Sequence, residues 1–282
     1  MTEERKNFSG ASKYVLDSEL AQIVNVSMAL EMPLLLKGEP GTGKTMLAYA
    51  IAESLGMELI ILNVKSSMKV IDALYQYDTL TRLNDSRFGD STRDVSDIKE
   101  YIKMSKIGQA FTSEKRTILL IDEIDKADTD FQDDMLDILD QMQFDIIETD
   151  EVVSANKRPV IIITSNAKKD LSDPFLGRCN FHHIAFPEAS MMKSIVDVHF
   201  PSIDKKLAKN AIATFYELRS IEGIEKRPAT RELINWLRAL DTDPEFKTGK
   251  LIKNKVPFLG VLFKKSQDYE RATMHVTRRK IF

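Results

Sequence analysis

The sequence predicts an α/β fold with a parallel five-stranded sheet, followed by a small helical region. Two observations support this prediction. As far as Pro187, short and continuously apolar runs alternate with segments of helical periodicity. Such runs are typical of parallel strands that are buried on both faces, and the intervening helices cover those faces. After Pro187 the strand-like runs cease and only helical periodicity follows.

The elements are predicted in chain order as follows. An amphipathic helix is expected over Tyr14 to Glu31, capped by Asp17 or Ser18. A strand at 33–37 then leads into a glycine-rich loop and a helix from Lys44 to Leu55. Further strands are expected at 59–62, 117–121, 160–164 and 183–186, and further helices at 191–200, 204–218 and 230–240. We therefore expect three parts: an α/β domain of residues 1–187, a helical lid domain of residues 188–242, and a basic, partly docked tail of residues 243–282.

The composition excludes several classes of protein. A chain of 282 residues with 43% hydrophobic and 29% charged residues is typical of an ordinary globular protein, not of a disordered or collagen-like one. No apolar run approaches the roughly 18 residues of a membrane-spanning helix, and the charged start lacks the apolar segment of a secretory signal. The single Cys179 permits no internal disulfide, and the four histidines form no spaced zinc cluster with it. These features predict a cytoplasmic protein.

The net charge of −3 conceals an uneven distribution of charge. Residues 122–151 are strongly acidic, with Lys126 as their one basic residue, whereas residues 246–282 are basic. A helix is expected within the acidic segment, with an apolar stripe against the core and a hydrated acidic face. A calcium site is not expected there, because the loop pattern with its central glycine is missing.

The glycine-rich loop fits the pattern GxxxxGK[ST] with Gly38, Glu39, Pro40, Gly41, Thr42, Gly43, Lys44 and Thr45. It follows an apolar strand and begins a helix, which is the context that phosphate binding requires. Main-chain amides of such a loop and the helix N-terminus can hold a β-phosphate. Lys44 can reach the β and γ oxygens, and the Thr45 hydroxyl can coordinate Mg²⁺. A simple Gly-Pro turn between strand and helix is the alternative interpretation.

Two adjacent carboxylates, Asp122 and Glu123, end a predicted buried strand. Ligands of open α/β sheets bind beyond the carboxyl ends of the strands, so both groups are expected near the phosphates. Asp122 would hold a hydrated Mg²⁺, and Glu123 would orient and polarise the attacking water. Alternatively, the two residues only form a solvated strand end or a helix cap.

Together these motifs resemble those of AAA+ ATPases. Residues 38–45, 119–127 and 163–166 are similar to the Walker A, Walker B and sensor 1 elements of that superfamily. Residues 64–67, 74–78, 171–179 and 227–233 resemble the MoxR branch of the helix-2-insert clade. The resemblance runs from about Tyr14 to Leu240, and it implies ATP and Mg²⁺ as cofactors, with Gly38 through Met46 in contact with the nucleotide.

The resemblance also implies roles for three further residues. Asn166 matches sensor 1, whose amide contacts both the γ-phosphate and the water. Arg178 matches the arginine finger, which in this family reaches the nucleotide of the neighbouring subunit; relatives often have two arginines where this chain has Gly177 and Arg178. Arg231 matches sensor 2, and Arg227 is its rival. Alternatively, Asn166 only starts a loop, Arg178 only forms a surface salt bridge, and Arg231 is an ordinary arginine at a helix start.

Two segments resemble the insertions of this clade. Residues 66–106 are longer than a simple crossover needs and are expected to reach toward a central pore or a partner. Residues 144–157 have the pattern of a hairpin before the fourth strand. Ordinary surface loops remain an alternative for both.

The function implied by the resemblance is Mg²⁺-dependent ATP hydrolysis by a ring, expected to be a hexamer, that remodels a protein partner. The implied partner has a von Willebrand factor A domain. A nucleic-acid motor or loader of the same clade and a slow nucleotide-gated scaffold are the alternatives. Nucleic acid is favoured only by the basic tail, which lacks the interleaved aromatic residues of a single-strand binding surface.

Three other residue types are expected to have structural roles. His182 and His183 are adjacent on a strand and point to opposite faces, so core packing is expected rather than a metal pair. Trp236 is expected to pack inside the lid. Cys179 is expected to be a small apolar filler, because no partner for a nucleophile is identifiable.

Overall fold

The computed structural model describes residues 7–89, 93–166, 169–246 and 256–278. Its contacts divide the chain into two compact units. The first unit contains residues 7–11, 16–38 and 44–184. The second contains residues 12–15, 39–43 and the described residues from 185 onward.

The strands in chain order are β1 (Leu34–Lys37), β2 (Leu59–Asn63), β3 (Tyr75–Tyr77), β4 (Ile102–Met104), β5 (Ile118–Asp122), β6 (Gln143–Ile146), β7 (Glu151–Ser154), β8 (Val160–Ser165) and β9 (Asn180–His183). The helices of the first unit are α1 (Ser18–Leu30), α2 (Lys44–Leu55), α3 (Val70–Leu74), α4 (Thr79–Phe88), α5 (Lys106–Thr112), α6 (Thr129–Gln141) and α7 (Asp173–Gly177). Those of the second unit are α8 (Ala189–His199), α9 (Lys205–Arg219), α10 (Thr230–Thr242), α11 (Leu259–Leu262) and α12 (Ser266–Arg278).

A five-stranded parallel sheet in the order β2-β5-β8-β1-β9 organises the first unit, which confirms the predicted fold class. The central strands β5 and β8 consist of Ile, Leu and Val almost throughout and are buried on both faces. The register pairs Ile121 with Ile163 and Leu36 with Thr164. The carboxyl ends of β5, β8 and β1 therefore lie side by side, and the residues that follow them meet at one edge of the sheet.

The predicted positions of α1 and β9 needed correction. The helix expected from Tyr14 begins only at Ser18, where the Asp17 side chain caps it by accepting a hydrogen bond from the Glu19 amide at 3.2 Å. The fifth strand lies at Asn180–His183 instead of 183–186. It is an edge strand with β1 as its one partner in the sheet, and its His183 is exposed, so core packing of that histidine was wrong.

Both predicted insertions contain small antiparallel pairs. In the first, β3 pairs with β4, and α4 lies between them. In the second, β6 pairs with β7, which confirms the predicted hairpin. An ion pair between Lys99 and Glu151 joins the two insertions, and the Tyr75 hydroxyl accepts a hydrogen bond from the Ile147 amide at 3.0 Å.

The second unit has its own apolar core around Trp236, as the sequence predicted. The Trp236 indole donates to the carbonyl of Pro257 at 2.8 Å, so its polar atom is satisfied inside the core. The tail segment 256–278 contributes Leu259, Leu262 and Phe263 to the same core. The remaining parts of the predicted basic tail, 247–255 and 279–282, lie outside the described residues.

Within the described ranges, none of the helices has the length and apolar character that crossing a membrane requires.

Candidate functional site

The turn from β1 into α2 places Lys44 and Thr45 at the carboxyl edge of the sheet. Lys44 is buried although it is charged, and its ammonium donates a hydrogen bond to the Gly38 carbonyl at 2.8 Å. The Thr45 hydroxyl donates to Oδ1 of Asp122 at 3.0 Å. The start of α2 and the end of β5, which are 77 residues apart in sequence, thus meet at one point.

The loop between Gly38 and Lys44 has a backbone that only glycine adopts freely. Gly41 and Gly43 have φ values of +82° and +95°, which L-residues with a Cβ rarely reach. A Cβ on Gly41 would also lie 2.6 Å from the Cβ of Ala229, which belongs to the same unit. Within the loop, the Thr42 hydroxyl donates to the Glu39 carbonyl at 3.0 Å. Successive amides at such angles form a concave, anion-binding surface.

Asp122 is held by two hydroxyl groups. Besides Thr45, the hydroxyl of Thr164 on the neighbouring strand β8 donates to Oδ1 of Asp122 at 2.6 Å. The same hydroxyl oxygen accepts the backbone N–H of Glu123 at 2.9 Å. The Thr164 hydroxyl therefore fixes both the Asp122 carboxylate and the backbone N–H of Glu123.

Glu123 leaves the strand in a left-handed conformation, with φ +60° and ψ +51°. Its carboxylate oxygens have different partners: Oε1 accepts from the Asn166 amide at 2.6 Å, and Oε2 forms an ion pair with Lys126. The hydrogen bond to Glu123, with the nearby charges of Asp122 and Asp125, raises the pKa of the Lys126 ammonium. Lys126 therefore stays charged beside Glu123 at neutral pH.

Asn166 is fixed by a second carboxylate. Oδ1 of Asp125, a residue with only 1% exposure, accepts the backbone N–H of Asn166 at 3.2 Å. The side-chain amide of Asn166 makes a separate hydrogen bond, to the carboxylate of Glu123. The structure thus brings Lys44 and Thr45 together with the residues that end β5 and β8 at one sheet edge.

Arg178 lies at the C-terminal end of α7, where its Nε donates to Oδ2 of Asp140 at 2.6 Å. Both side chains are about half exposed, so this is a surface ion pair of small energetic value. The neighbouring Cys179 packs against the core of the first unit. Burial raises the pKa of its thiol to about 12, which makes it a poor nucleophile at neutral pH.

The other predicted site residues are more exposed. Met46, in the first turn of α2, is half exposed. Arg231, the second residue of α10, and its rival Arg227, just before that helix, are both exposed in the second unit. Glu39 and Pro40 at the loop tip are exposed as well, whereas Thr42 is buried.

Sequence reasoning missed three residues that organise this edge: Thr164, Asp125 and Lys126. Thr164 is a polar residue near the end of an otherwise apolar strand, and this interruption was the available signal. Asp125 and Lys126 follow Glu123 closely, but their contacts depend on the tight 3-10 turn of Ile124–Lys126. A turn of three residues is too short to produce a periodic pattern in the sequence, so it could not be predicted.

The donor set at this edge fits a magnesium nucleotide. Thr45 and Asp122 offer a hydroxyl and a carboxylate oxygen, which are the hard oxygen ligands that Mg²⁺ prefers. The loop offers amides and the buried Lys44 to an anion. Among the described residues there is no cluster of three or more His, Cys, Asp or Glu side chains that could hold a metal ion.

Comparison with protein families identifies the parallel-sheet region of the chain. The family model described as "ATPase family associated with various cellular activities (AAA)" matches residues 34–187, which is more than half of the chain. The matched range begins at the first residue of β1 and extends beyond β9, so it includes the whole parallel sheet and its carboxyl edge. No curated protein matches the chain.

Proposed function

Because the chain belongs to the AAA family of ATPases, we propose that it is a Mg²⁺-dependent ATPase of the MoxR branch that works as a hexameric ring. Its role is to remodel or activate a partner protein with a von Willebrand factor A domain. The three-part division at residues 187 and 242 belongs to this proposal: an α/β domain, a helical lid and a basic tail.

The observation that supports hydrolysis most directly is the hydrogen bond between Thr45 and Asp122. These two residues would hold Mg²⁺, and their oxygens already lie 3.0 Å apart across the sheet edge. When bound, Mg²⁺ neutralises the charge that develops between the β and γ phosphates.

The residues of the chain then divide the remaining work. The backbone N–H groups of the loop from Gly38 to Gly43, other than that of Pro40, which has none, and the ammonium of Lys44 bind the phosphates, with Met46 beside them. Glu123 orients and polarises the attacking water. Asn166 is hydrogen bonded to Glu123, and in our mechanism it also reaches the γ-phosphate. Arg231 acts as sensor 2 from the start of α10.

Glu123 provides the first test of this mechanism. In the Glu123→Gln variant, we expect ATP to bind with unchanged affinity while hydrolysis is lost, because the amide keeps the shape but not the basicity of the carboxylate. Filter binding of labelled ATP and phosphate release measure the two properties separately. Turnover at the wild-type rate by this variant would exclude Glu123 as the residue that activates water.

We propose that Arg178 acts on the nucleotide of the neighbouring subunit. Its ion pair with Asp140 is exposed, so little free energy opposes the exchange of this partner for a phosphate. An arginine finger accelerates phosphoryl transfer about 10³- to 10⁵-fold. Mixing Arg178→Ala subunits with Glu123→Gln subunits tests the idea. Where an Arg178→Ala subunit holds the nucleotide and its Glu123→Gln neighbour supplies the arginine, the interface has an intact finger and an intact Glu123; the opposite arrangement has neither.

In that experiment, neither variant alone should hydrolyse ATP, and the mixture should regain part of the activity. A mixture that stays inactive while mass photometry shows mixed rings would contradict an action in trans. Activity of Arg178→Ala alone would remove Arg178 from the mechanism.

The MoxR assignment and the partner class are supported by the sequence motifs at 64–67, 74–78, 171–179 and 227–233 and by the two insertions. A purified von Willebrand factor A domain should stimulate ATP hydrolysis. Stimulation by DNA instead, with steep salt dependence, would favour a nucleic-acid motor.

A further inference from the structure

A buried guanidinium in the second unit has no part in the mechanism described so far. Arg219 is the last residue of α9, and only 10% of its side chain is exposed. Arginine is rarely buried unless its charge is paired. The partners of Arg219 therefore indicate what the residue does.

Arg219 has three partners on three sides. Its Nη2 forms an ion pair with Oε2 of Glu39, and its Nη1 donates to the carbonyl oxygen of Pro228 at 2.8 Å. The central carbon of the guanidinium lies 3.6 Å from the centroid of the Phe186 ring, so the cation rests on an aromatic face. Phe186 in turn stacks on Phe215 at 6.3 Å between centroids.

The two hydrogen-bonded partners belong to segments far apart in sequence but in the same unit. Glu39 is part of the predicted phosphate loop, and Pro228 lies two residues before the start of α10, the helix that begins with Thr230 and Arg231. The contact between Gly41 and Ala229, where an added Cβ would come within 2.6 Å, shows how closely the two segments approach. Next to this contact, Arg219 binds Glu39 of the loop and the carbonyl of Pro228 at the same time.

The chemistry of the guanidinium suits this task. It is planar and has donors at fixed angles, so it can hold two acceptors at a set separation while one face stacks on a ring. Lysine has a single ammonium at its tip and cannot reproduce both hydrogen bonds together with flat stacking. If position 219 needed only a positive charge, lysine would serve as well as arginine.

We propose that Arg219 is a positioning residue for nucleotide binding, which holds the phosphate loop through Glu39 and the start of α10 through Pro228 in their binding geometry. This inference rests on the proposed ATPase function. Arg219 itself acts through these two segments and does not touch the phosphates in this role.

The test measures nucleotide affinity in the full chain. Wild type, Arg219→Lys, Glu39→Gln and the double variant are titrated with a fluorescent ADP analogue, and KM and kcat for ATP are determined for each. We expect Arg219→Lys to weaken ADP binding about tenfold, which corresponds to about 1.4 kcal/mol, and to raise KM more than it lowers kcat. A merely structural role would reduce the active fraction and hence kcat, but leave KM unchanged.

The double variant should bind no more weakly than Arg219→Lys alone, because both substitutions disturb the same contact between Arg219 and Glu39. The matched control is Arg238→Lys on the exposed side of α10, for which we expect unchanged affinity. Should Arg219→Lys fail to fold, Glu39→Gln decides, since 54% of the Glu39 side chain is exposed and its loss should leave the fold intact.

Wild-type affinity in both single variants overturns the inference, and so do independent, additive effects of the two substitutions. If wild type itself does not bind the nucleotide, the proposed function fails instead. The two failures are therefore distinguishable in one set of titrations.

Discussion

Replacing Thr164 by valine removes one hydroxyl that makes two hydrogen bonds at the carboxyl edge of the sheet. The hydroxyl donates to Asp122 and accepts the N–H of Glu123, and Thr164 itself is only 1% exposed. Valine has nearly the same shape and an equally good strand propensity, so the sheet loses no packing. The perturbation is therefore confined to the two hydrogen bonds.

The size of the loss in stability depends on the Glu123 amide, which has no hydrogen-bond acceptor in the Thr164→Val variant. The Glu123 amide loses its partner in a part-buried position. An unsatisfied donor costs about 1–3 kcal/mol when it is fully buried, so the lower part of that range applies to Glu123. The Glu123 backbone is also held in a left-handed conformation without that bond. We expect Thr164→Val to lower the free energy of unfolding by an amount near the lower end of about 1–3 kcal/mol. We expect a fall in kcat of about tenfold to a hundredfold, because misplacement by about 1 Å costs about 10² in rate.

Urea unfolding and steady-state phosphate release measure the two effects, and a matched control is available. Thr117 is also 1% exposed, but its hydroxyl has no hydrogen-bond partner among the described residues. Thr117→Val should therefore be neutral or stabilising and should leave kcat unchanged. Equal behaviour of the two valine variants, or a wild-type kcat in Thr164→Val, would refute the role assigned to this hydroxyl.

Three shorter predictions concern single residues. Burial opposes ionisation of Asp268, but hydrogen bonds from the amides of Glu225 and Lys226, both at 2.9 Å, and the charge of Lys265 lower its pKa. Its stabilising effect is present above the unfolded pKa of about 3.9 and is lost as the pH falls through the lower folded pKa, so Asp268→Asn should destabilise at pH 7 and match wild type in acid. Since burial raises the pKa of the Cys179 thiol to about 12, a thiol reagent at pH 8 should label it slowly in the native protein and quickly in urea. Trp236, the one tryptophan of the chain, is fully buried, so its fluorescence should shift to the red on unfolding and report on the second unit; native emission at the wavelength of free tryptophan would contradict this burial.

The sheet could be predicted from the sequence because its inner strands are unambiguous. β1, β5 and β8 are continuous apolar runs bounded by turns and charged residues, and no other element explains such runs. β9 was placed three residues too late, because an edge strand needs apolar residues on one face at most. Its sequence Asn-Phe-His-His gives no apolar run, and only the pairing with β1 defines it.

The sequence names candidate site residues where a chemistry requires particular residues at fixed spacing. The glycine-rich loop and the adjacent Asp122 and Glu123 were singled out in this way, and the structure places Thr45 of α2 in contact with Asp122. Thr164 and Arg219 could not be found in this way. Thr164 contacts Asp122, 42 residues away in sequence, and Arg219 contacts Glu39, 180 residues away. Contacts between residues so far apart in sequence are created only by the folded arrangement of strands and helices.

The two adjacent carboxylates of Asp122 and Glu123 have different partners because the chain turns between them. In a regular strand, successive side chains point to opposite faces, which would direct Glu123 away from Asn166 or into the apolar core. The left-handed conformation at Glu123 ends the strand and brings its carboxylate to Asn166 and Lys126. That conformation costs about 1–2 kcal/mol for a residue other than glycine. The hydrogen bond from the Glu123 amide to Thr164 offsets part of this cost, because a net hydrogen bond contributes about 1 kcal/mol. The left-handed conformation at Glu123 and the hydroxyl of Thr164 together separate the carboxylate that we propose binds the metal, Asp122, from the one that we propose activates water, Glu123.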